Sequence, residues 1–394
     1  MRIGVDATCW SNRRGYGRFT RSLLRALLEV DQRNHYTFFV DYESDEFPLP
    51  SQVEVCHVAT KVPTIRAAGA DSSRSLADLW RVARAFRSAP IDLLYFPADY
   101  SYVPAFLSIP RIVTIHDAIA ELFPKLIFPT LRSKMLYRAK VRTGIRQARL
   151  LVTVSEYSRR RLMEKLNIPP ARFRVVSEAP DPIFRPLERP THSEVVTRWG
   201  ISPGSRCLIY VGGFSPHKNL LMLLDVVHEL RDRDAFRDLR LVLTGDYAGD
   251  PFFSCYGELV ERVRRYSLEG HVLFTGRLED EDLVILLNRA DALVLPSVCE
   301  GFGLPGVEAA ACGVPVVATT ESPLSELLDE GLLAVDPIDR GGWLTAIERV
   351  LTDMALRGRM QKAALAAASR LSWQNSARQL LSVFDEVARS GASA

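Results

Sequence analysis

Short runs of apolar residues, four to six long and rich in Val, Leu and Ile, recur along the chain between longer stretches with helical spacing. In the first half they fall at 2–6, 36–40, 53–58, 92–96, 111–115 and 150–154. Runs this short, apolar on both faces, predict strands buried in a parallel sheet. Between them, 19–30, 74–87 and 130–148 place apolar residues three and four apart, which predicts amphipathic helices. The second half repeats the scheme, with strands at 207–211, 239–244, 271–275, 292–296 and 314–318 and helices through Arg231 and over 283–289. The stretch 344–371 is helical, and Ser372-Trp373-Gln opens a last helix through Arg389. Strand, loop, helix, strand in this alternation predicts α/β architecture with helices on both faces of mostly parallel sheets.

The punctuation divides the chain. Four prolines (Pro180, Pro182, Pro186, Pro190) fall within 177–190 and mark a linker. At 394 residues the chain exceeds one ordinary core, so two domains of nucleotide-binding size are expected. These are 1–185 and 186–372.

Composition changes this picture little. A hydrophobic fraction of 47% with 25% charged residues describes a globular protein, and a net charge of +3 does not call for nucleic acid. Six cysteines lie scattered in or beside apolar runs without C-x-x-C spacing, as expected for reduced core residues of a cytoplasmic protein. Residues 1–6 enter a strand at once, which predicts no secretory leader. No apolar stretch approaches the ~20 residues of a membrane-spanning helix. The basic residues are uneven: 125–165 carries twelve of them against Glu156 and Glu164. Such a run is a solvated face, or a patch for anionic lipid headgroups or a lipid diphosphate. Nucleic acid ranks behind both, because no stacking aromatic pattern accompanies the charges.

Candidate chemistry gathers after predicted strands. The centre of it is Glu300-Gly-Phe-Gly-Leu-Pro-Gly-Val-Glu308, with Pro305 placed to open a helix because it spends no N–H in the first turn. Glycines at such a helix start suit an anion, and flanking carboxylates suit hydroxyls, as on a sugar or ribose. The plainer alternative has Glu308 in the helix's first turn as a charge complement to the macrodipole, among ordinary turn residues. Gly212-Gly-Phe-Ser-Pro-His-Lys-Asn219 joins strand to helix and brings Lys218 to a helix start, where it reaches a diphosphate or stays solvated. His116-Asp117 follows the strand at 111–115, where open sheets collect ligands; alternatively Asp117 caps a helix at 118–123 and His116 is a near-core histidine. Gly15-Tyr-Gly17 lies in a loop after the first strand, as readily a plain turn as a ligand loop.

The Glu-x7-Glu stretch with Gly-Phe-Gly-Leu-Pro inside it resembles the donor-site motif of the retaining GT-B glycosyltransferases of family four. Thr114-Ile-His-Asp117 is similar to the His-Asp motif of that family's mannosyltransferase-like branch, and the likeness runs from Gly15-Tyr-Gly-Arg18 to Ser372-Trp373. The resemblance implies a GT-B fold, two doubly wound domains facing a cleft, with 373–394 crossing back onto the first domain. It implies transfer of a hexosyl group, mannose slightly favoured, from a GDP- or UDP-sugar to a saccharide or lipid-linked hydroxyl, with retention and without metal or other cofactor. His116, Asp117 and Glu300 would be catalytic. Gly17, Lys218, Leu278, Asp280, Phe302, Gly303, Leu304 and Glu308 would hold the donor, with Leu278 and Asp280 at the base. Peripheral contact of 125–165 with the inner face of the membrane would accompany a lipid-linked acceptor. Relatives carry an arginine on the loop where this chain has Gly213 and His217, which leaves Lys218 as its cation. Two other classes stand beside this one: a glycoside hydrolase using two carboxylates, and a non-catalytic nucleotide-sugar-binding scaffold.

Overall fold

A computed structural model describes residues 1–67, 75–105, 107–188, 194–202, 204–247 and 253–392. The expected helix start at Arg74, the linker residue Pro190 and the last two residues of the tail lie outside the described residues. The chain divides into two compact units, one of Met1–Glu178 with Ser372–Ala394 and the other of Ala179–Leu371. The division falls inside the proline-rich stretch.

The first unit is built on a seven-stranded sheet: β1 (Arg2–Asp6), β2 (His35–Val40), β3 (Glu54–His57), β4 (Leu93–Phe96), β5 (Arg111–Thr114), β6 (Leu150–Thr153) and β7 (Phe173–Val175). Their order is β3-β2-β1-β4-β5-β6-β7, and every neighbouring pair is parallel. β4, β5 and β6 are buried throughout, with Arg111, Thr114 and Thr153 at their ends buried beside the apolar residues. Helices cover the sheet. The Leu76–Ser88 helix brings Val82 and Phe86 into the same core as Phe96, Tyr102 and Leu162. The terminal helix Trp373–Ala392 belongs to this unit: Trp373 meets Phe19 at 6.1 Å, Phe384 meets Tyr95 at 5.6 Å, and Glu386 pairs with Arg174 at 2.5 Å.

The second unit carries six parallel strands: β8 (Cys207–Val211), β9 (Arg240–Thr244), β10 (Val272–Gly276), β11 (Ala292–Leu295), β12 (Val316–Thr319) and β13 (Leu332–Val335), in the order β10-β9-β8-β11-β12-β13. In each sheet the chain works outward one way, then restarts beside its first strand. The reversals fall between β1 and β4 and between β8 and β11. Loops leaving the carboxyl ends of such a pair diverge and open a crevice, the usual ligand position in a doubly wound sheet.

Several elements differ from the sequence expectation. β7 and β13 were not expected; both are short and partly exposed, so their apolar signal is weak. The single helix expected over 344–371 is two, Arg340–Thr352 and Met354–Ala368. Asp353 leaves the helical region (φ −87, ψ 93) and its carboxylate caps the second helix by accepting from the Leu356 amide at 2.8 Å. The helix expected at 283–289 begins at Asp280, because three acids in its first turn favour an early start.

Candidate active site

In the second unit the crevice between β8 and β11 is framed by two loops. The Gly212–Asn219 loop leaves β8, makes one 3-10 turn at Pro216–Lys218, and enters the Leu220–Arg231 helix through Asn219. Asn219 is left-handed (φ 57) and its amide donates to the carbonyls of Pro296 at 3.2 Å and Pro337 at 3.0 Å, fixing this loop to those after β11 and β13. Val298 donates its backbone N–H to the His217 carbonyl at 2.9 Å, and Glu300 donates to the Glu321 carbonyl at 2.9 Å. Four strand ends are therefore laced through backbone contacts before any side chain is considered.

Across this crevice Lys218 Nζ donates to Glu300 Oε1 at 2.7 Å, and Ser297 Oγ donates to the same oxygen at 2.6 Å. Ser297 is fully buried and Glu300 nearly so. Both bonds fall on Oε1; Oε2 carries none among the described residues. The sequence separates Lys218 from Glu300 by 82 positions; the sheet reversal brings them together. Ser297 was missed by sequence reasoning, and its one signal is its place three residues before Glu300 at the end of β11.

The motif helix runs Leu304–Ala311, with Pro305 at its second position and Gly303 ahead of it in the left-handed region (φ 86). A methyl group at Gly303 or at Gly306 would come within 2.8 Å of the Leu324 side chain. At these two glycines the vacated space is thus filled by the chain itself rather than kept for a ligand. Glu308 is the fifth residue of this helix, not in its first turn, and is 3% exposed. The macrodipole acts mainly in the first turn, so it does not account for a carboxylate held this deep. Phe302 and Leu304 are buried beside it.

Leu278 and Asp280 stand on the same carboxyl edge, after β10. Leu278 lies in the turn behind Gly276 (φ 72), and Asp280 opens the Asp280–Arg289 helix. β9 lies between β10 and β8, so these residues are two strand spacings, ~10 Å, along the edge from the Lys218 loop. The edge runs from Leu278 through Lys218 to Glu300 without leaving the second unit.

The first unit has its own cluster at the β1/β4 reversal. His116 follows β5 and is 7% exposed. Its ring stands edge-on to Tyr16 at 4.7 Å and Phe19 at 4.6 Å. Nε2 lies 2.9 Å from the Pro97 carbonyl, and Nδ1 lies 3.7 Å from Glu178 Oε1. Both ring nitrogens thus face acceptors, an arrangement that suits the imidazolium. Burial alone would push the His116 pKa down, but the Glu178 carboxylate, the Pro97 carbonyl and Asp99 outweigh it and hold it above 6.5. Asp99, its own carboxyl raised by burial, accepts from Tyr137 at 3.1 Å. Glu178 and Asp99 were not expected from the sequence; Glu178 sits in the stretch read as a linker.

Asp117 orders the chain that follows. Its carboxylate accepts from the Ile119 amide at 2.8 Å and starts the single turn Ile119–Leu122, shorter than the 118–123 helix expected. Gly17 is in the first turn of the Gly15–Val30 helix rather than in a loop before it. A Cβ there would lie 1.8 Å from the Asn12 carbonyl oxygen, so glycine lets the loop after β1 press onto the helix. Arg21 ties the same loop by donating to the carbonyls of Trp10 and Asn12.

The His116 geometry has a consequence for stability. With a folded pKa above the unfolded value, folding takes up a proton there. Its contribution is complete below pH 6.5 and is lost as pH rises through the folded value. In Glu178→Gln the strongest raising partner is gone and burial takes over, so His116 titrates at lower pH. NMR titration of the His116 ring in both proteins checks this; an unchanged midpoint would remove Glu178 as the cause.

Among the described residues, no group of three or more His, Cys, Asp or Glu side chains is placed to hold a metal ion.

Comparison with known proteins agrees with this layout. Residues 13–182 match the family model Glycosyltransferase Family 4, and residues 194–366 match the model Glycosyl transferases group 1. An O-antigen chain mannosyltransferase B from Escherichia coli is 29% identical over 74% of this chain and 74% of its own length. A D-inositol 3-phosphate glycosyltransferase from Corynebacterium diphtheriae is 31% identical over 48% of this chain and 44% of its own. Among solved structures, sucrose-phosphate synthase from Thermosynechococcus elongatus superposes with a TM-score of 0.77 at 18% identity, covering 99% of this chain and 100% of that one. HepE of Anabaena, solved with UDP and glucose, gives 0.74 at 18%, covering 98% of this chain and 99% of that one. Two parallel sheets, each reversed beside its first strand, and family models that together span both units place this chain among the GT-B glycosyltransferases of family four.

Proposed function

We propose that the protein transfers a hexosyl group, mannose in preference, from a nucleoside diphosphate sugar to a hydroxyl of a saccharide or lipid-linked acceptor, with retention at the anomeric carbon. The observation that carries this reading is the Lys218–Glu300–Ser297 cluster at the β8/β11 reversal. A cation and a carboxylate with one oxygen uncommitted stand side by side, and these are the two functions an anionic sugar donor needs. Lys218 meets the charge that grows on the departing diphosphate, together with amides around Phe302–Leu304. Glu300 Oε2 accepts from a sugar hydroxyl, and Glu308 from the ribose. Leu278 and Asp280 take the base, so an extended ligand lies along the edge of one sheet. The name of the E. coli relative supports mannose, and the Anabaena neighbour's UDP supports a nucleotide donor, with GDP and UDP both open here.

The acceptor proton passes to a donor phosphate oxygen in this reading, and Glu300, engaged through Oε1 by Lys218 and Ser297, acts as a hydrogen-bond acceptor for the sugar rather than as base or nucleophile. His116, its pKa held above the ordinary value by Glu178 against the effect of burial, is the candidate catalytic group of the first unit, and Asp117 orders its turn. Metal-free transfer is part of the reading, because Lys218 and helix-start amides fill the electrostatic role. So is a cytoplasmic location, peripheral to the inner face of the membrane.

The test is nucleotide release from a panel of GDP-, UDP-, TDP- and ADP-sugars with donor-dependent thermal shift, the product anomer being read by NMR. One strongly preferred donor and a retained anomer are expected. Neither binding nor turnover with any donor would overturn the donor site, and an inverted product would overturn the stereochemistry.

A further inference from the structure

The amino-terminal edge of the second sheet, opposite the Lys218 loop, carries a charged cluster of its own. β9 opens with Arg240, His271 stands just before β10, and the Leu220–Arg231 helix returns to this edge to end on Arg231. The strand register sets Arg240 beside His271: Leu241 faces Val272, and the Leu241 amide donates to the His271 carbonyl at 2.8 Å. Arg231, Arg240 and His271 are all partly buried. β8 and β9 are each five residues long, which puts about 16 Å between this edge and the loops at the other.

The arginines around the cluster are paired. Arg206 donates to the Ala235 carbonyl at 2.6 Å and lies 3.5 Å from Asp238; Arg233 reaches Glu348 at 2.8 Å and Arg237 reaches Asp234 at 2.7 Å. Arg231 and Arg240 form no salt bridge among the described residues. Arg231 Nε is enclosed without an acceptor. Burial and the Arg240 charge push the Arg231 pKa down, with Asp232 opposing them. A cation in the last turn of a helix complements the macrodipole, and that accounts for Arg231 alone. It does not account for Arg240 held near it, since like charges gather at a cost unless an anion stands between them.

His271 repeats the conflict at one atom. Arg240 Nη1, which can only donate, lies 2.5 Å from His271 Nδ1, and the Leu239 carbonyl, which can only accept, lies 3.2 Å from the same nitrogen. The neutral ring serves Arg240 and fails Leu239; the imidazolium serves Leu239 and sets two cations in contact. Burial, then Arg231 and Arg240, hold the His271 pKa below 6.5 against the pull of the Leu239 carbonyl. An oxyanion that accepts from both guanidiniums resolves all of this. Arg240 turns from Nδ1 to the anion, and the ring takes up a proton and donates to Leu239.

The geometry points to a binding site for a phosphate group at this edge, with Arg231 and Arg240 donating to its oxygens beside His271. Two planar forks suit a tetrahedral dianion, either inorganic phosphate or the phosphoryl group of a monoester. The site shares no residue with the Lys218 cluster and does not rest on the transferase reading.

The test follows the His271 ring by NMR as inorganic phosphate or glycerol phosphate is added to the full chain at fixed ionic strength, with His271→Asn to assign the signal. A saturable change is expected, and the His271 titration midpoint should rise in saturating ligand. Arg231→Gln and Arg240→Gln should each weaken binding about tenfold or more, whereas Lys218→Met should bind like the parent. The arginine variants are separate proteins, so misfolding in one leaves the other decisive. Tighter binding of inorganic phosphate would mark the free ion as ligand, and tighter binding of glycerol phosphate a monoester. No change with either, the same change with chloride, arginine variants that bind like the parent, or binding lost in Lys218→Met instead would overturn the site.

Discussion

Lys218→Met is expected to lower kcat/KM for the preferred donor by about two to three orders of magnitude, roughly 3–4 kcal/mol of transition-state stabilisation. The methionine keeps the apolar stem and removes only the ammonium. The loop is held by backbone bonds through His217 and by the Asn219 amide, neither of which involves the Lys218 side chain, so its path survives. The folded protein loses one charged hydrogen bond, and Glu300 keeps Ser297, so the stability cost stays at about 1–3 kcal/mol. The affinity for nucleoside diphosphate alone should fall as well, because the cation meets phosphate whether or not a sugar is attached. Steady-state nucleotide release and calorimetric binding of the diphosphate check both. If turnover stayed within a few-fold while melting fell, Lys218 would be a structural partner of Glu300 and nothing more.

That distinction matters because a salt bridge is weak evidence on its own. Burying two charges costs solvation that their attraction barely offsets, and many such pairs can be replaced without loss. What sets Lys218–Glu300 apart is position. It spans the one place in its sheet where neighbouring strand loops part, and both of its bonds leave Glu300 Oε2 uncommitted. The first unit repeats the arrangement with different chemistry. There the loops after β1 and β4 are joined by Asn12 donating to Tyr100 at 3.0 Å, and His116 bonds the Pro97 carbonyl. One cluster is a cation beside an available acceptor. The other is a buried histidine enclosed by acceptors.

Much of this is legible in the sequence alone. Eleven strands announced themselves as short apolar runs, because a parallel sheet buries both faces and leaves no alternation to dilute the signal. β7 and β13 did not, being short and half-exposed. Lys218, Glu300 and His116 were each legible from the loop they sit on. Their partners were not, since pairing depends on which strands become neighbours, and strand order is a tertiary property. Glu178 was hidden for a further reason: prolines around it marked a linker, and nothing local says that its carboxylate turns back toward a histidine 62 positions earlier. Gly303 and Gly306 suit a ligand's approach by sequence alone, and Gly17 suits a ligand loop or a plain turn equally. Their neighbours, Asn12 and Leu324, show that a glycine can equally make room for the chain itself.

Glu300→Gln carries the second large effect, and it separates the two halves of the pair. The glutamine is nearly isosteric, and its Oε1 still accepts from Lys218 and from Ser297, but the ammonium loses its counter-charge, so stability should fall by about 1–3 kcal/mol, no more than in Lys218→Met. Its amide nitrogen, however, stands where Oε2 was, presenting a donor to a hydroxyl that needs an acceptor. A hydrogen bond to a charged group is worth roughly 1.5–3 kcal/mol, so turnover should fall about 10- to 150-fold. Affinity for the bare nucleoside diphosphate should hold, because the sugar contact is the only one lost. Lys218→Met weakens the nucleotide and the sugar donor alike, whereas Glu300→Gln weakens only the sugar donor. Binding isotherms for diphosphate and diphosphate sugar, run on both variants, read this directly. Should Glu300→Gln bind and turn over the donor like the parent, the carboxylate would serve only to hold Lys218 in place, and the sugar contact would have to be sought at Glu308.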